Sequence, residues 1–178
     1  MPRPRHDPAK NLVGFEVGDV RYAVSIFCVR EICNPLPVVA LPRAPMSVRG
    51  VADFRGEVVA VIDLRERFGL GPLDHGRAKW IVCDVDVESA GLLPPERRGT
   101  PRPGRFVALV VDHVNEVFGT QGADLRAPPE LGGGENERGI LGVTQKAGML
   151  VFVLDTRAFR SISEEVLRHA GGHAVSYP

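Results

Sequence analysis

Asp112, His113 and Glu116 sit together on one predicted strand and come closest to a donor set for a metal. An imidazole flanked by carboxylates could hold a transition-metal ion, and such an ion would turn a bound water into a nucleophile. The competing reading is a strand-edge imidazole facing solvent. The other histidines add nothing to that site: His6 and His173 fall in the tails, His75 in a turn and His169 on a terminal helix. Asp63 and Asp155 could be taken as a general acid–base pair. Each instead precedes a helical turn, where a carboxylate caps backbone N–H groups without any chemistry, and the cap is the preferred reading. Cys28, Cys33 and Cys83 form no CxxC pair, so they read as small buried hydrophobes rather than zinc ligands or disulfides. Gly132-Gly133-Gly134 is followed by no GK[ST], so it is no phosphate cradle, and GxSxG and HExxH are absent. No catalytic residue, metal or cofactor is therefore expected, with a small β-barrel metalloenzyme as the remote alternative.

Arg55 is the charged residue hardest to dismiss. It stands with Gly56 between Val51–Phe54 and the β-branched run Val58–Ile62, where a tight hairpin turn is predicted. Such a turn prefers Asn or Asp before Gly, so an arginine there implies pairing or recognition. A salt bridge to Glu31, Glu57 or another acid across the sheet is one role. Display to a partner is the other, and the two are compatible. Val58–Ile62 suits a strand buried on both faces, with Asp63 capping a turn over Leu64–Phe68 that Gly69 stops. Arg65 and Arg157 read as solvated helix-face charges.

A shorter echo of this segment returns near the C-terminus. Val61–Arg65 aligns with Val153–Arg157 at an offset of 92 residues, and Val24–Ile32 aligns with Leu109–Val117 at an offset of 85. Two offsets that differ by a loop's length imply two related halves. Residues 1–11 are expected to be a loose tail, 12–159 the domain with two interleaved halves of about 12–85 and 86–159, and 160–178 a C-terminal helix and tail. Val13, Phe15 and Val17 alternate before a Gly18-Asp19 turn, and Tyr22–Ile32 reads as one returning strand. Lys79–Val87 and Phe106–Val111 are further strands, with Asp112–Phe118 continuing the latter. Proline- and glycine-rich loops are expected at Glu88–Gly104 and Pro128–Glu137, and a capped helix from Ser161 ending at Gly171-Gly172. Many short strands with Gly/Pro punctuation point to a mostly all-β fold of small barrels or a sandwich.

The chain has 178 residues, 44% hydrophobic and 25% charged, with zero formal net charge. That composition supports a packed core and disfavours nucleic acid, whose phosphates require a basic surface. No apolar run approaches the ~20 residues of a membrane span, so no membrane insertion is expected. The N-terminus lacks a secretory apolar stretch, which favours the cytoplasm.

Several spaced motifs resemble the CheW-like chemotaxis adaptor family. They are Phe15-x-x-Gly18-x-x-x-Tyr22-Ala23-Val24, Val29-x-Glu31-Ile32, Leu41-Pro42-x-Ala44-Pro45, Arg49-Gly50-Val51-x-x-x-Arg55-Gly56 and Val61-Ile62-Asp63-Leu64-Arg65-x-x-Phe68. In the second half, Leu109-Val110-Val111-Asp112-x-Val114 and Val153-Leu154-Asp155 also fit. The resemblance implies two SH3-like five-stranded β-barrels packed together, with short helices, and a scaffold rather than an enzyme. It implies binding to the cytoplasmic tip of a methyl-accepting chemoreceptor through Val29, Glu31, Gly50, Arg55 and Val114. It also implies binding to the regulatory domain of a CheA-type histidine kinase through Leu41, Ala44, Met46, Asp63, Arg65 and Phe68. Other CheW-like domains are further candidate partners, and recruitment to receptor clusters follows. An insulator that binds receptors without coupling to the kinase is the alternative. The chain departs from the family pattern at Asp53-Phe54, where Asn-Leu is usual, at Ala60, where proline is common, and in the Glu88–Gly104 insertion.

Overall fold

The computed structural model describes residues 11–71, 76–87, 102–120, 125–127 and 139–172. The expected loops at 88–104 and 128–137, His6, His75, His173 and the two chain ends lie wholly or mostly outside these residues. Among the described residues, ten strands form two five-stranded sheets. They are β1 (Leu12–Val17), β2 (Val20–Ser25), β3 (Val29–Cys33), β4 (Val48–Phe54), β5 (Glu57–Asp63), β6 (Lys79–Asp84), β7 (Phe106–Val111), β8 (His113–Phe118), β9 (Ile140–Lys146) and β10 (Met149–Leu154). A short helix α1 (Leu64–Arg67) follows β5, and helix α2 (Arg160–Gly172) follows β10 through a 3-10 turn at Thr156–Phe159. The chain is thus mostly strand with few helices, as expected, and the two sheets are consistent with SH3-like barrels. No helix among the described residues is long and apolar enough to cross a membrane.

The sheet orders are β8-β1-β2-β10-β9 and β3-β6-β7-β5-β4. Shifting every strand label by five converts one order into the other, so β1–β5 and β6–β10 occupy equivalent places. Each sheet takes two strands from one run and three from the other. Parallel pairs join the runs: Val151–Val153 with Arg21–Ala23, and Ala60–Asp63 with Val107–Val110.

Two local features make this exchange. The 3-10 turn at Ile26–Cys28, with Ser25 Oγ accepting the Phe27 N–H, carries the chain out of one sheet into the other. The single expected strand Tyr22–Ile32 is therefore two strands in different sheets. Asp112 marks the equivalent exit between β7 and β8, so Asp112–Phe118 does not continue its predecessor either. Alternation of apolar residues cannot reveal such a switch, since both strands keep the same period.

The main core lies between the sheets. Phe15, Tyr22 and Val24 from one meet Ile62, Ile81 and Leu109 from the other, together with Leu154 and Phe159. Trp80, Phe54, Val59 and Val61 fill the β3–β7 sheet, and Leu12, Ala23, Val151 and Val153 the other. β5 is buried on both faces from Val59 to Asp63, as its composition predicts, although Val58 stays exposed. The outer face of β4 and β5, with Val48, Val51 and Ala60, is covered by Ile162, Val166 and Leu167 of α2. The α2 start differs from expectation: the helix runs directly out of the 3-10 turn, and Ser163 is buried with its hydroxyl donating to Gly104 O at 2.9 Å. Asn11, assigned to the tail, is also buried and donates to Thr120 O at 3.3 Å.

Candidate functional site

The β4–β5 turn places Arg55 at φ 51° and Gly56 at φ 83°. Two successive left-handed residues are the signature of a two-residue hairpin turn whose twist matches its strands. Glycine takes this conformation freely, while arginine does so at a small cost. Asp53 supports the turn, its Oδ1 accepting the Gly56 N–H at 2.8 Å. The asparagine usual in the pattern this segment resembles is thus replaced by another short acceptor.

Arg55 reaches Glu31, with Nε at 2.8 Å and Nη2 at 2.7 Å from Oε2, and its guanidinium stands 5.7 Å from the Phe54 ring centroid. Of the acids considered, the structure selects Glu31. The contact also reports how the sheet curls: Glu31 is on β3 and Arg55 follows β4, the two opposite edges of one sheet. The Arg55 side chain is nonetheless 67% exposed. A pair this exposed contributes only about 0–1 kcal/mol to stability, so the fold gains little from it. What it does is hold a cation in place while leaving part of the guanidinium in solvent.

Val29 and Val114 occupy equivalent positions just after the two sheet exits, and both are half-buried against the main core. Gly50 does not present a surface. Its φ is 144°, and a Cβ there would lie 2.0 Å from Val39 O and 2.7 Å from Val39 C. The segment at Val39-Ala40 crosses directly over it and pairs with Val51 in both directions, at 2.8 and 2.9 Å. Gly50 is required by that crossing.

The residues expected to meet the kinase also divide. Met46 is 84% exposed, while Leu41 and Ala44 pack beside α2. Asp63 is buried at 2% exposure; its Oδ1 accepts the Arg65 and Glu66 N–H groups at 2.9 and 3.4 Å, and its Oδ2 accepts Arg49 Nε at 2.7 Å. It is the N-cap, and so is Asp155, which accepts the Arg157 N–H at 3.0 Å. Arg65 is no solvated charge: it is 20% exposed and donates through Nη1 to Asp112 Oδ2 at 2.6 Å. Phe68 stacks on Tyr22 with centroids 4.8 Å apart.

The trio proposed for a metal does not converge. Asp112 is held by Arg65, Glu116 pairs with Lys146 at 2.6 Å, and His113 is exposed. The described residues contain no cluster of three or more suitable ligands. Burial raises the Cys83 thiol well above its ordinary value and raises that of Cys33, whose neighbour Glu31 adds to the shift. Thiols so disposed are poor nucleophiles.

Sequence reasoning overlooked the Lys146–Glu116 pair, which joins the corresponding edges in the second half although the 92-residue offset carries Arg55 to Ala147, one residue beyond Lys146. Its turn repeats the first, with Ala147 at φ 49° and Gly148 at φ 76°, and it ties β9 to β8 across the opposite edges of the other sheet. The 85-residue offset that aligns Glu31 with Glu116 carries the signal. Exposure is reversed: here the carboxylate is outward at 58% and the ammonium sheltered at 27%, 4.6 Å from the Phe118 ring centroid. The buried Arg105–Asp84 pair at 2.7 Å was equally invisible.

The family model described as the CheW-like domain matches residues 11–163. A probable chemotaxis protein CheW from Rhizobium etli is 29% identical over 145 residues, spanning 80% of this chain and 83% of that relative. Protein FrzA from Myxococcus xanthus is 33% identical over 142 residues, or 79% and 78% of the two chains. Among solved structures, the scaffolding protein TtCheW from Thermoanaerobacter tengcongensis superposes with a TM-score of 0.65 at 22% identity, covering 82% of this chain and 88% of its own.

Proposed function

This chain belongs to the CheW-like domain family, and we propose that it is a non-enzymatic scaffold of chemosensory signalling, holding a methyl-accepting chemoreceptor tip beside the regulatory domain of a CheA-type histidine kinase. The observation that carries this reading is Arg55: a cation at a stiff hairpin tip, oriented by Glu31 and left largely open to solvent. A receptor tip is helical, and a helix docks by placing apolar side chains against apolar ones while charges at the rim set register. Val29 and Val114 supply the apolar part, and Arg55 with Glu31 supplies the charge. Gly50 serves the same face from beneath, by letting the 39–40 segment seat. For the kinase, the exposed Met46 in the connector is the natural contact, with Leu41 and Ala44 shaping its base. Asp63, Arg65 and Phe68 support that region from inside. The scaffold works in the cytoplasm, at the receptor clusters.

The test is a pull-down from the native host with wild type and Arg55→Glu as paired baits. Wild type is expected to recover a chemoreceptor and a histidine kinase, and the variant to lose the receptor while keeping its fold. Recovery of a receptor without a kinase would replace this reading with an insulator. Equal receptor recovery by both baits would remove Arg55 from the interface.

A further inference from the structure

Arg65 and Asp112 form a charged contact that spans the two sheets. Arg65 follows β5 of one sheet, and its Nε also donates to Gly71 O at 2.7 Å. Asp112 is tied into the other sheet twice: its N–H donates to Glu16 O at 3.0 Å, and its Oδ2 accepts the Gly18 N–H at 2.7 Å. One oxygen therefore receives both Arg65 and Gly18, while Oδ1 is buried with no hydrogen-bond partner among the described residues. A carboxylate that concentrates its bonding on one oxygen leaves a costly orphan, which makes sense where geometry at the shared oxygen is what matters.

The equivalent place on the other side of the molecule lacks this contact. The 92- and 85-residue offsets carry Arg65 to Arg157 and Asp112 to Phe27. Phe27 has no carboxylate, and Arg157 pairs with its own cap, Asp155, at 3.2 Å. The polar links there are a buried hydroxyl bond from Thr156 Oγ1 to Asp84 O at 3.2 Å and, a turn further on, the Arg160–Asp86 ion pair at 2.6 Å. Both seams thus carry an ion pair, but Arg65–Asp112, at 20% and 16% exposure, is the more sheltered, against 46% and 19% for Arg160–Asp86, and it lies two residues from Val114.

We propose that Arg65 and Asp112 are a positioning pair, setting the angle between the two sheets and through it the spacing of Val29 and Val114, without themselves touching the partner. This rests on the receptor face assigned above. Loss of the ion pair frees the seam to open about the Thr156–Asp84 side, and the two valines then no longer meet a helix at one fixed spacing. Linked sites of this kind usually couple at fivefold or more, so binding to a receptor-tip fragment weakens by at least about fivefold.

The test measures the inter-sheet distance by double electron–electron resonance, with spin labels at Val58→Cys and Leu150→Cys. Both positions are more than half exposed, and a Cys33→Ser background leaves only the fully buried Cys28 and Cys83. Asp112→Asn keeps an acceptor for the Gly18 N–H and removes the charge, while Arg65→Met keeps the apolar stem. Both should broaden or shift the single wild-type distribution, and Arg65→Lys should return it most of the way. Binding of the receptor-tip fragment is measured on the same variants without labels. Unchanged distributions in Asp112→Asn and Arg65→Met would overturn the proposal, as would a broadened distribution with unchanged binding. Arg55→Glu provides the control: it should lose binding with the distance unaltered. If Arg55→Glu binds normally, the receptor-face assignment fails, while the distance data still decide whether the Arg65–Asp112 pair sets the angle.

Discussion

Replacing Gly50 with alanine tests whether this glycine belongs to the binding face or to the structure beneath it. The backbone at φ 144° lies where L side chains are rarely found, and holding such a residue there costs about 1–3 kcal/mol. The new methyl would also sit 2.0 Å from Val39 O, 2.7 Å from Val39 C and 2.9 Å from Ala40 Cα. All three are backbone atoms, so no rotamer change relieves them. The 39–40 segment must lift away, taking with it the paired Val39–Val51 hydrogen bonds at 2.8 and 2.9 Å, each contributing about 1 kcal/mol. The expected loss is about 3–5 kcal/mol, and at about 2–4 °C per kcal/mol for a chain of this size, the melting temperature falls by about 6–20 °C. Urea denaturation and a thermal melt read this directly. Protease cleavage within the lifted 39–46 connector should rise in parallel. Receptor binding by Gly50→Ala would then fall because the face is deformed, in contrast to Arg55→Glu, which should melt within a few degrees of wild type. A Gly50→Ala protein that melts like wild type yet loses the receptor would refute the reasoning and return Gly50 to the interface.

The electrostatic network at the base of α2 makes a pH-dependent prediction. Asp86 accepts Arg102 and Arg160, each at 2.6 Å, and its carboxyl is lowered below the ordinary value mainly by the Arg102 hydrogen bonds. A group whose value is depressed by folding contributes stability that is complete above its unfolded value and lost as pH falls through the folded one. Urea denaturation should therefore show wild type more stable than Asp86→Asn by a constant margin between about pH 5 and 7, with the margin shrinking as pH falls below roughly 4 and lost only as pH passes through the lowered folded value. A margin independent of pH would remove the charge from the account. Arg105→Met leaves the buried Asp84 carboxylate without its ion pair and should destabilise by about 3–5 kcal/mol. Adding Asp84→Asn should recover part of that loss, and additive effects of the two changes would deny their coupling.

The pieces whose geometry is local are written in the amino-acid sequence. The Val48–Asp63 hairpin, the caps at Asp63 and Asp155, and the helix near the C-terminus follow from turn residues, β-branched runs and side chains that bond N–H groups two or three positions away. The spacing of those pieces was also enough to bring out the family resemblance and the internal echo, because strand order repeats with the same offsets as the motifs. Tertiary structure decided everything that depends on which strand lies beside which. It moved β3 and β8 into the opposite sheets, through a three-residue turn and a single aspartate that leave the apolar alternation untouched. It chose Glu31 over Glu57 for Arg55, since only a curled sheet brings its two edges together. It also withdrew Gly50, Asp63 and Arg65 from the surface, where their residue types alone would have left them. The physical reason is range: turns and caps are settled by atoms a few residues apart, whereas burial and ion pairing depend on neighbours 24 to 47 residues away that only the packed sheets supply.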